Sequence, residues 1–228
     1  MNKYEQLNNI EPVNKQICRM LRKDIVECHI HPGKRLSEKE MAMRFDVSRQ
    51  PVREAFIKLA EAGLVQVLPQ RGTVVTKISE RQVAESRFIR QALECAIVRR
   101  AAENVTNEQL SVLEHNLYLQ ELATEKRQYR EFLSLDDMFH QYLTYIASFP
   151  RAWETIESIK AAMDRVRFLS LKTVSPPDAL IQQHYCIFNA LKAGEPDVAE
   201  KVIHAHLEEM TYSIIPISQL NNEWFEHA

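Results

Sequence analysis

From Val47 to Phe56 the chain reads VSRQPVREAF, and its apolar and polar positions separate onto two faces of one helix. Val52, Ala55, Phe56 and Leu59 fall at i, i+3, i+4 and i+7, the stripe that a 3.6-residue helix turns to one side and that must be buried. On the other face Arg49 and Arg53 stand one turn apart with Gln50 beside them. Ser48 is placed to cap the first turn through its hydroxyl, and Pro51 falls in that turn, where a missing backbone N–H does no damage. A helix so built presents free amides and positive charge at its N-terminal end, which suits an anionic polymer. In isolation the same two arginines read as a solvated face, so the flanking pattern has to decide.

Upstream, Ser37 and Glu40 form an S-x-x-E capping box that predicts a helix through about Phe45, joined to the next by Phe45-Asp46-Val47. Before it, Ile17, Met20, Leu21 and Ile25 keep a helical period from Val13 to about His29, with Arg19, Arg22 and Lys23 largely opposite, and residues 1–12 read as a polar arm. Downstream, residues 64–68 and 73–76 predict two short strands around a Pro69-Gln70-Arg71-Gly72 turn. Helix, turn, helix and hairpin spell a winged helix-turn-helix, a geometry that reads DNA.

The remaining pattern is helical. Helices are expected over 80–104, over 107–126 behind a Thr106/Gln109 capping box, over 129–148 and over 151–172. Ser175-Pro176-Pro177 reads as an N-cap with proline at the first position of a fifth helix, which Gly194 ends. A sixth begins near Pro196 and runs to about Ser213, leaving 214–228 unassigned. The fold class is therefore mainly α: a winged domain over 1–78 and an antiparallel six-helix bundle over 79–228.

Composition sharpens this division. Four glycines in 228 residues, with 45% hydrophobic and 26% charged, fit a helix-rich globular chain. Residues 1–78 hold fourteen Lys and Arg against nine Asp and Glu, and residues 79–228 hold fifteen against twenty-two, so polyanion binding belongs to the first part. With no apolar run of about 18 residues and no signal pattern, the expected location is cytoplasmic, away from membranes. Cys18, Cys28, Cys95 and Cys186 lack C-x-x-C spacing and suit reduced thiols.

From Gly33 to Val75, GKRLSEKEMAMRFDVSRQPVREAFIKLAEAGLVQVLPQRGTVV resembles, without a gap, the DNA-binding domain of the GntR family of bacterial transcription regulators. The resemblance implies that Lys39, Ser48, Arg49, Gln50, Pro51 and Arg53 touch double-stranded operator DNA. Arg71 and Gly72 would lie at the wing tip, the glycine allowing close approach to the backbone. Relatives often carry arginine at the Lys39 position; lysine lacks the bidentate fork, which points to a phosphate contact there. The resemblance also implies a homodimer on a two-fold operator, with the helical domain supplying most of the interface.

The bundle carries one group of residues with chemical content. Asp136 and His140 share a face at i and i+4 with Phe132, Phe139 and Leu143. His184 is in phase with Ile181, Ile187, Phe188 and Leu191, and His206 with Val202, Ile203 and Met210, whereas His204 lines up with Glu200 and Glu208. Each alone reads as a hydrogen-bonded core residue. Together, on three helices, they read as ligands of one divalent metal ion such as Zn, Mn or Ni, because a buried carboxylate needs a partner and imidazoles suit these metals.

Residues 79–213 resemble the helical FCD effector domain of the FadR-like branch, whose metal-binding members show D-x-x-x-H, a lone His and a final His. Asp136, His140, His184 and His206 match those places. The family site leaves coordination positions open to water or a small carboxylate ligand. Arg90 and Glu94 match the family's R-x-x-L-E pattern; Arg90 either forks a ligand carboxylate or pairs with Glu94 at i, i+4 on the surface. Arg165, and with it Arg167, is a further candidate for that ligand. Nearly the full length is similar to repressors of starvation-sensing operons for sugar-acid-type enzymes. The expected function is thus a DNA-binding repressor with a small organic-acid effector at a metal-containing site and no catalytic residues. The rivals are a metal-dependent enzyme and a regulator with a purely structural metal.

Overall fold

A computed structural model of the chain describes residue 7, residues 11–68 and residues 72–226, the side chain of Met210 excepted. The expected wing turn at 69–71, and with it Arg71, lies outside the described residues, as does most of the N-terminal arm.

Contacts gather the described residues into two units: those up to Glu80 together with those from Asn221 onward, and Arg81–Leu220. Whereas the sequence pattern assigns everything after 78 to the bundle, the last described residues fold with the first unit. Phe225 pairs with Ile78 in a parallel bridge, closed by Ile78 N–H to Trp224 O at 2.9 Å and Glu226 N–H to Ile78 O at 2.9 Å. Trp224 stacks on His31, and Phe225 is 2% exposed.

The first unit contains α1 (Val13–Val26), β1 (Arg35–Leu36), α2 (Glu38–Phe45), α3 (Arg49–Glu61), β2 (Val65–Leu68) and β3 (Gly72–Val75). The strands form an antiparallel sheet in the order β1-β3-β2, with Val67 opposite Thr73 and Arg35 opposite Val74. The two-residue β1 is too short to carry an alternation that a sequence reading would detect. Ser37 caps α2 by accepting from the Glu40 N–H, and Asp46, in the left-handed region at φ 53°, turns the chain into α3. The stripe of α3 is buried as its spacing requires, with Val52, Ala55, Phe56 and Leu59 against Ile17, Leu21 and Ile25 of α1 and their neighbours.

The second unit contains α4 (Glu80–Asn104, from its second residue), α5 (Asn107–Glu125), α6 (Tyr129–Ile146), α7 (Arg151–Ser170), α8 (Pro177–Ala193) and α9 (Pro196–Leu220). Thr106 and Gln109 close the capping box of α5 from both sides, and Gly194, at φ 66°, ends α8. Two expectations need correction. The N-cap of α8 is Pro176 and its first residue Pro177, one later than expected, so the Ser175 side chain is released for tertiary contacts. And α9 does not stop near Ser213; it runs through Pro216 to Leu220. A proline removes the hydrogen bond its own nitrogen would have made and crowds the carbonyl four residues back, and packing such as that of the buried Ile217 carries the helix past it. The bundle core includes Val98, Leu113, Leu117, Phe139, Ile156, Ile187, Leu191 and Ile203.

Candidate metal centre and nucleic-acid interface

Three helices bring the four expected ligands together. Asp136 and His140 project from one face of α6, His184 from the buried stripe of α8 and His206 from that of α9, and all four are buried. Their ligand atoms lie within 4.8 Å of one another. His206 Nε2 is 3.2 Å from His140 Nε2 and 3.3 Å from His184 Nε2, while Asp136 Oδ1 is 3.5 Å from His184 Nε2. A tetrahedral ion with bonds of about 2.0–2.1 Å sets its ligands roughly 3.3 Å apart, and these three separations match that value.

The outer contacts explain why these nitrogens face each other. His140 Nδ1 meets Glu94 Oε2 at 2.5 Å, His184 Nδ1 meets Gln120 Oε1 at 2.8 Å, and His206 Nδ1 meets Gln183 Oε1 at 2.7 Å. Each acceptor fixes the proton on Nδ1 and turns an Nε2 lone pair inward, the arrangement that orients metal-ligating histidines. Burial pushes the His184 pKa down to about 3 against the opposing pull of the Asp136 carboxylate, and burial together with the neighbouring histidines and arginines holds that of His206 well below the usual histidine range. Protons on His184 and His206 therefore do not relieve their facing lone pairs near neutrality. The chain of acceptors continues outward, from Gln120 Nε2 to Asn116 Oδ1 at 2.8 Å and from Asn116 Nδ2 to Leu135 O at 3.1 Å.

Buried charges surround the cluster in pairs. Arg90 Nε donates to Glu94 Oε1 at 2.5 Å; burial would raise the Glu94 pKa, but Arg90 and His140 outweigh it and hold the carboxyl down at about 2. Arg90 thus makes the i, i+4 pair weighed from the sequence, but makes it in the core rather than on the surface. Arg167 Nη2 donates to Asp136 Oδ2, and Nη1 to Asp137 Oδ1 at 2.8 Å. Burial of Asp136 is likewise outweighed by Arg167, which keeps its pKa below the ordinary carboxylate range. Lys160 completes the network through Asp137 at 2.6 Å and Asp164 at 3.0 Å.

A cavity of about 50 Å³ adjoins the cluster, with Asp136, His206, Arg90, Arg167, Ser175 and Ser213 in its wall. Arg90 Nη2 is buried with no hydrogen-bond partner among the described residues. Arg165 is buried as well, yet the wall contains Arg167 and not Arg165. Residues two apart on a helix point in nearly opposite directions, so only one of the pair faces the cavity.

Sequence reasoning passed over Gln120, Gln183 and Asn116. For the α5 pair a signal existed: Asn116 and Gln120 share a helical stripe with Leu113, Leu117 and Ala123, and polar amides on a buried stripe need partners.

On the winged unit, Lys39, Ser48, Arg49, Gln50 and Arg53 are exposed, and Gly72 sits at the start of β3 with φ 86°. Pro51 occupies the first turn of α3. Ser48 takes the N-cap position in an extended conformation, but its hydroxyl makes no cap hydrogen bond, contrary to expectation. The side chains are not equally available. Glu38 grips Arg53 through Nε at 2.9 Å and Nη2 at 3.0 Å, and Glu54 accepts from Gln50 at 2.9 Å and Asn14 at 2.8 Å. Arg49 and Lys39 make no hydrogen bond or ion pair with any described residue.

Comparison with known proteins matches residues 13–75 to the bacterial regulatory proteins of the gntR family and residues 85–209 to the FCD domain. The HTH-type transcriptional repressor RspR of Escherichia coli K12 is 54% identical over 220 residues, which cover 96% of each chain. A solved structure described as E. coli McbR/YncC superposes with a TM-score of 0.76 at 25% identity, covering 93% of this chain and 100% of that one. A putative GntR regulator from Rhodococcus sp. RHA1 gives a TM-score of 0.73 at 26% identity, covering 88% and 97%.

Proposed function

The chain belongs to the gntR family of bacterial regulatory proteins and carries an FCD domain, so it is a DNA-binding transcriptional regulator, and from that premise we propose that it is a metal-dependent, effector-responsive repressor. A divalent ion would be held by Asp136, His140, His184 and His206. It would supply positive charge and open coordination positions for the carboxylate of a small, sugar-acid-like effector. The observation that carries the reading is the convergence of three Nε2 lone pairs beside Asp136, each histidine locked by an acceptor on Nδ1. In the adjoining wall Arg90 and Arg167 supply positive charge suited to the same carboxylate. Zn, Mn and Ni all suit an imidazole-rich donor set.

The winged unit would read operator DNA in the cytoplasm through Arg49, Gln50 and Arg53 in the major groove, with Lys39 and Ser48 on phosphates. Two subunits would bind a two-fold operator. The outward face of α4 supports pairing through the bundle: Phe88 is 67% and Ile89 42% exposed, beside a groove lined by Leu93, Ala96, Phe149 and Pro150. No helix of the described residues is long and apolar enough to cross a membrane.

The test is to recover the operator by selecting bound genomic fragments and then titrate it with chelated and zinc-loaded protein, with and without short hydroxy acids. Specific binding that changes several-fold with acid only in the metal-loaded protein is the expected result. Operator affinity indifferent to both metal and acid would reduce the centre to a structural one.

A further inference from the structure

We propose that the cavity selects an acid carrying a hydroxyl distant from its carboxylate, and that Ser175, Ser213 and Glu209 read that hydroxyl. The inference rests on the effector reading above and adds the part of the ligand that metal and arginine do not explain.

Ser175 lies outside the first turn of α8, because the helix starts one residue later than its sequence suggests, and Ser213 and Glu209 stand one turn apart on α9. All three line the cavity that contains Arg90 and Arg167. Ser175 and Ser213 are 5% and 2% exposed, so their hydroxyls need partners. Their contacts are Ser175 Oγ to Glu209 Oε1 at 3.3 Å, Ser175 Oγ to Ser213 Oγ at 2.8 Å, and Ser213 Oγ to Glu209 O at 3.2 Å. Three contacts need three protons, and two hydroxyls carry two. The group is one donor short, and Glu209 Oε2 makes no hydrogen bond to any described residue.

A ligand that donates there completes the set. The donor is a hydroxyl rather than an ammonium, because two arginines in the same wall disfavour a further cation. The cavity, about 50 Å³, is small, which favours acids of a few carbons over six-carbon ones.

The test uses the zinc-loaded full-length chain and isothermal titration with butyrate, 4-hydroxybutyrate and 4-aminobutyrate, which share a carboxylate and differ at the far end. 4-Hydroxybutyrate should bind about tenfold tighter than butyrate, as a hydrogen bond to a charged acceptor allows. Ser213→Ala and Glu209→Gln should each bring the two affinities to within about twofold of each other, with thermal melting reporting that both variants fold. Equal binding of butyrate and 4-hydroxybutyrate by the wild type would overturn this subsite and leave the effector reading standing. A preference that survives in both variants would overturn the residues named, and tighter binding of 4-aminobutyrate would overturn the hydroxyl. If none of the acids bound, the effector reading would fall with it.

Discussion

The face of α3 proposed to read DNA and the histidine cluster of the bundle both gather polar groups, but they solve opposite problems. On α3 water solvates whatever the fold leaves open, so Arg49 needs no internal partner while Arg53 has Glu38. In the bundle Arg90, Glu94, Asp136, Lys160 and Arg167 are all nearly inaccessible, and an unpaired charge there is costly. Partner contacts therefore accumulate until the inward Nε2 atoms and the Arg90 Nη2 are left over. An exposed site shows its function by what is free to move, and a buried one by what its partners leave unsatisfied.

The sharpest way to break this contrast is to compare two histidines of α9. Zinc at about 100 times its dissociation constant should stabilise the chelator-stripped protein by ~2.7 kcal/mol, raising the melting temperature by about 5–10 °C. His206→Ala should remove most of that rise. His204→Ala should leave it, since that side chain is exposed and only 3.9 Å from Glu208. Equal losses in the two variants, followed by calorimetry, would dissolve the distinction between inward and outward histidines.

Acid should expose the same buried groups without metal. His184 and His206 have depressed pKa values in the fold, so below about 6.5 the unfolded chain takes up protons that the folded chain refuses. Their contribution is intact above that pH and is lost as pH falls toward about 3, where folded His184 begins to charge. Asp136 and Glu94 act with the same sign, but only near and below the ordinary carboxylate range, so they are silent in the first interval. Between pH 6.5 and 5.5 the two histidines together should cost about 2 kcal/mol, a fall of roughly 4–8 °C in the metal-free melting temperature. A melting curve indifferent to that interval would show the histidines to take up protons in the fold as readily as in the unfolded chain.

On the exposed face, Arg49→Ala should weaken specific operator binding by about 1–3 kcal/mol if it reads a base edge, measured against a scrambled sequence. Lys39→Ala should weaken all sequences alike and lower the salt slope by about one. The smallest effect is expected at Glu38, whose carboxylate holds Arg53. Glu38→Gln should tighten binding to every sequence and lower the ratio of specific to non-specific affinity, because it frees the guanidinium without aiming it. Unchanged discrimination in a fluorescence anisotropy titration would show that the Glu38 contact does not orient Arg53.

Much of this was legible because helical period and capping are local. The stripe of α3, the Ser37 and Thr106 caps and the Gly194 terminator follow from neighbours within four or five residues, and the inward phase of His140, His184 and His206 follows from each helix alone. What depended on partners elsewhere was harder. Whether Arg165 or Arg167 faces the cavity turns on how α7 is rotated against α6, which the mixed polarity of its sequence leaves open. The pairing of Arg53 with Glu38 spans fifteen residues and two helices. The run of α9 past Pro216 reflects packing winning over a local stop signal.

The bridge between Ile78 and Phe225 gives the winged unit an unusual pedigree: its finished form draws on both ends of the sequence. A fragment cut after residue 78 would carry every side chain proposed to read DNA yet lack the Phe225 ring, whose burial contributes about 1.5–3 kcal/mol. Grafting experiments that treat the first third as a self-sufficient cassette would therefore inherit an unfinished hydrophobic seat. Supplying residues 221–226 in trans, or splicing them after Ile78 through a short linker, should restore it.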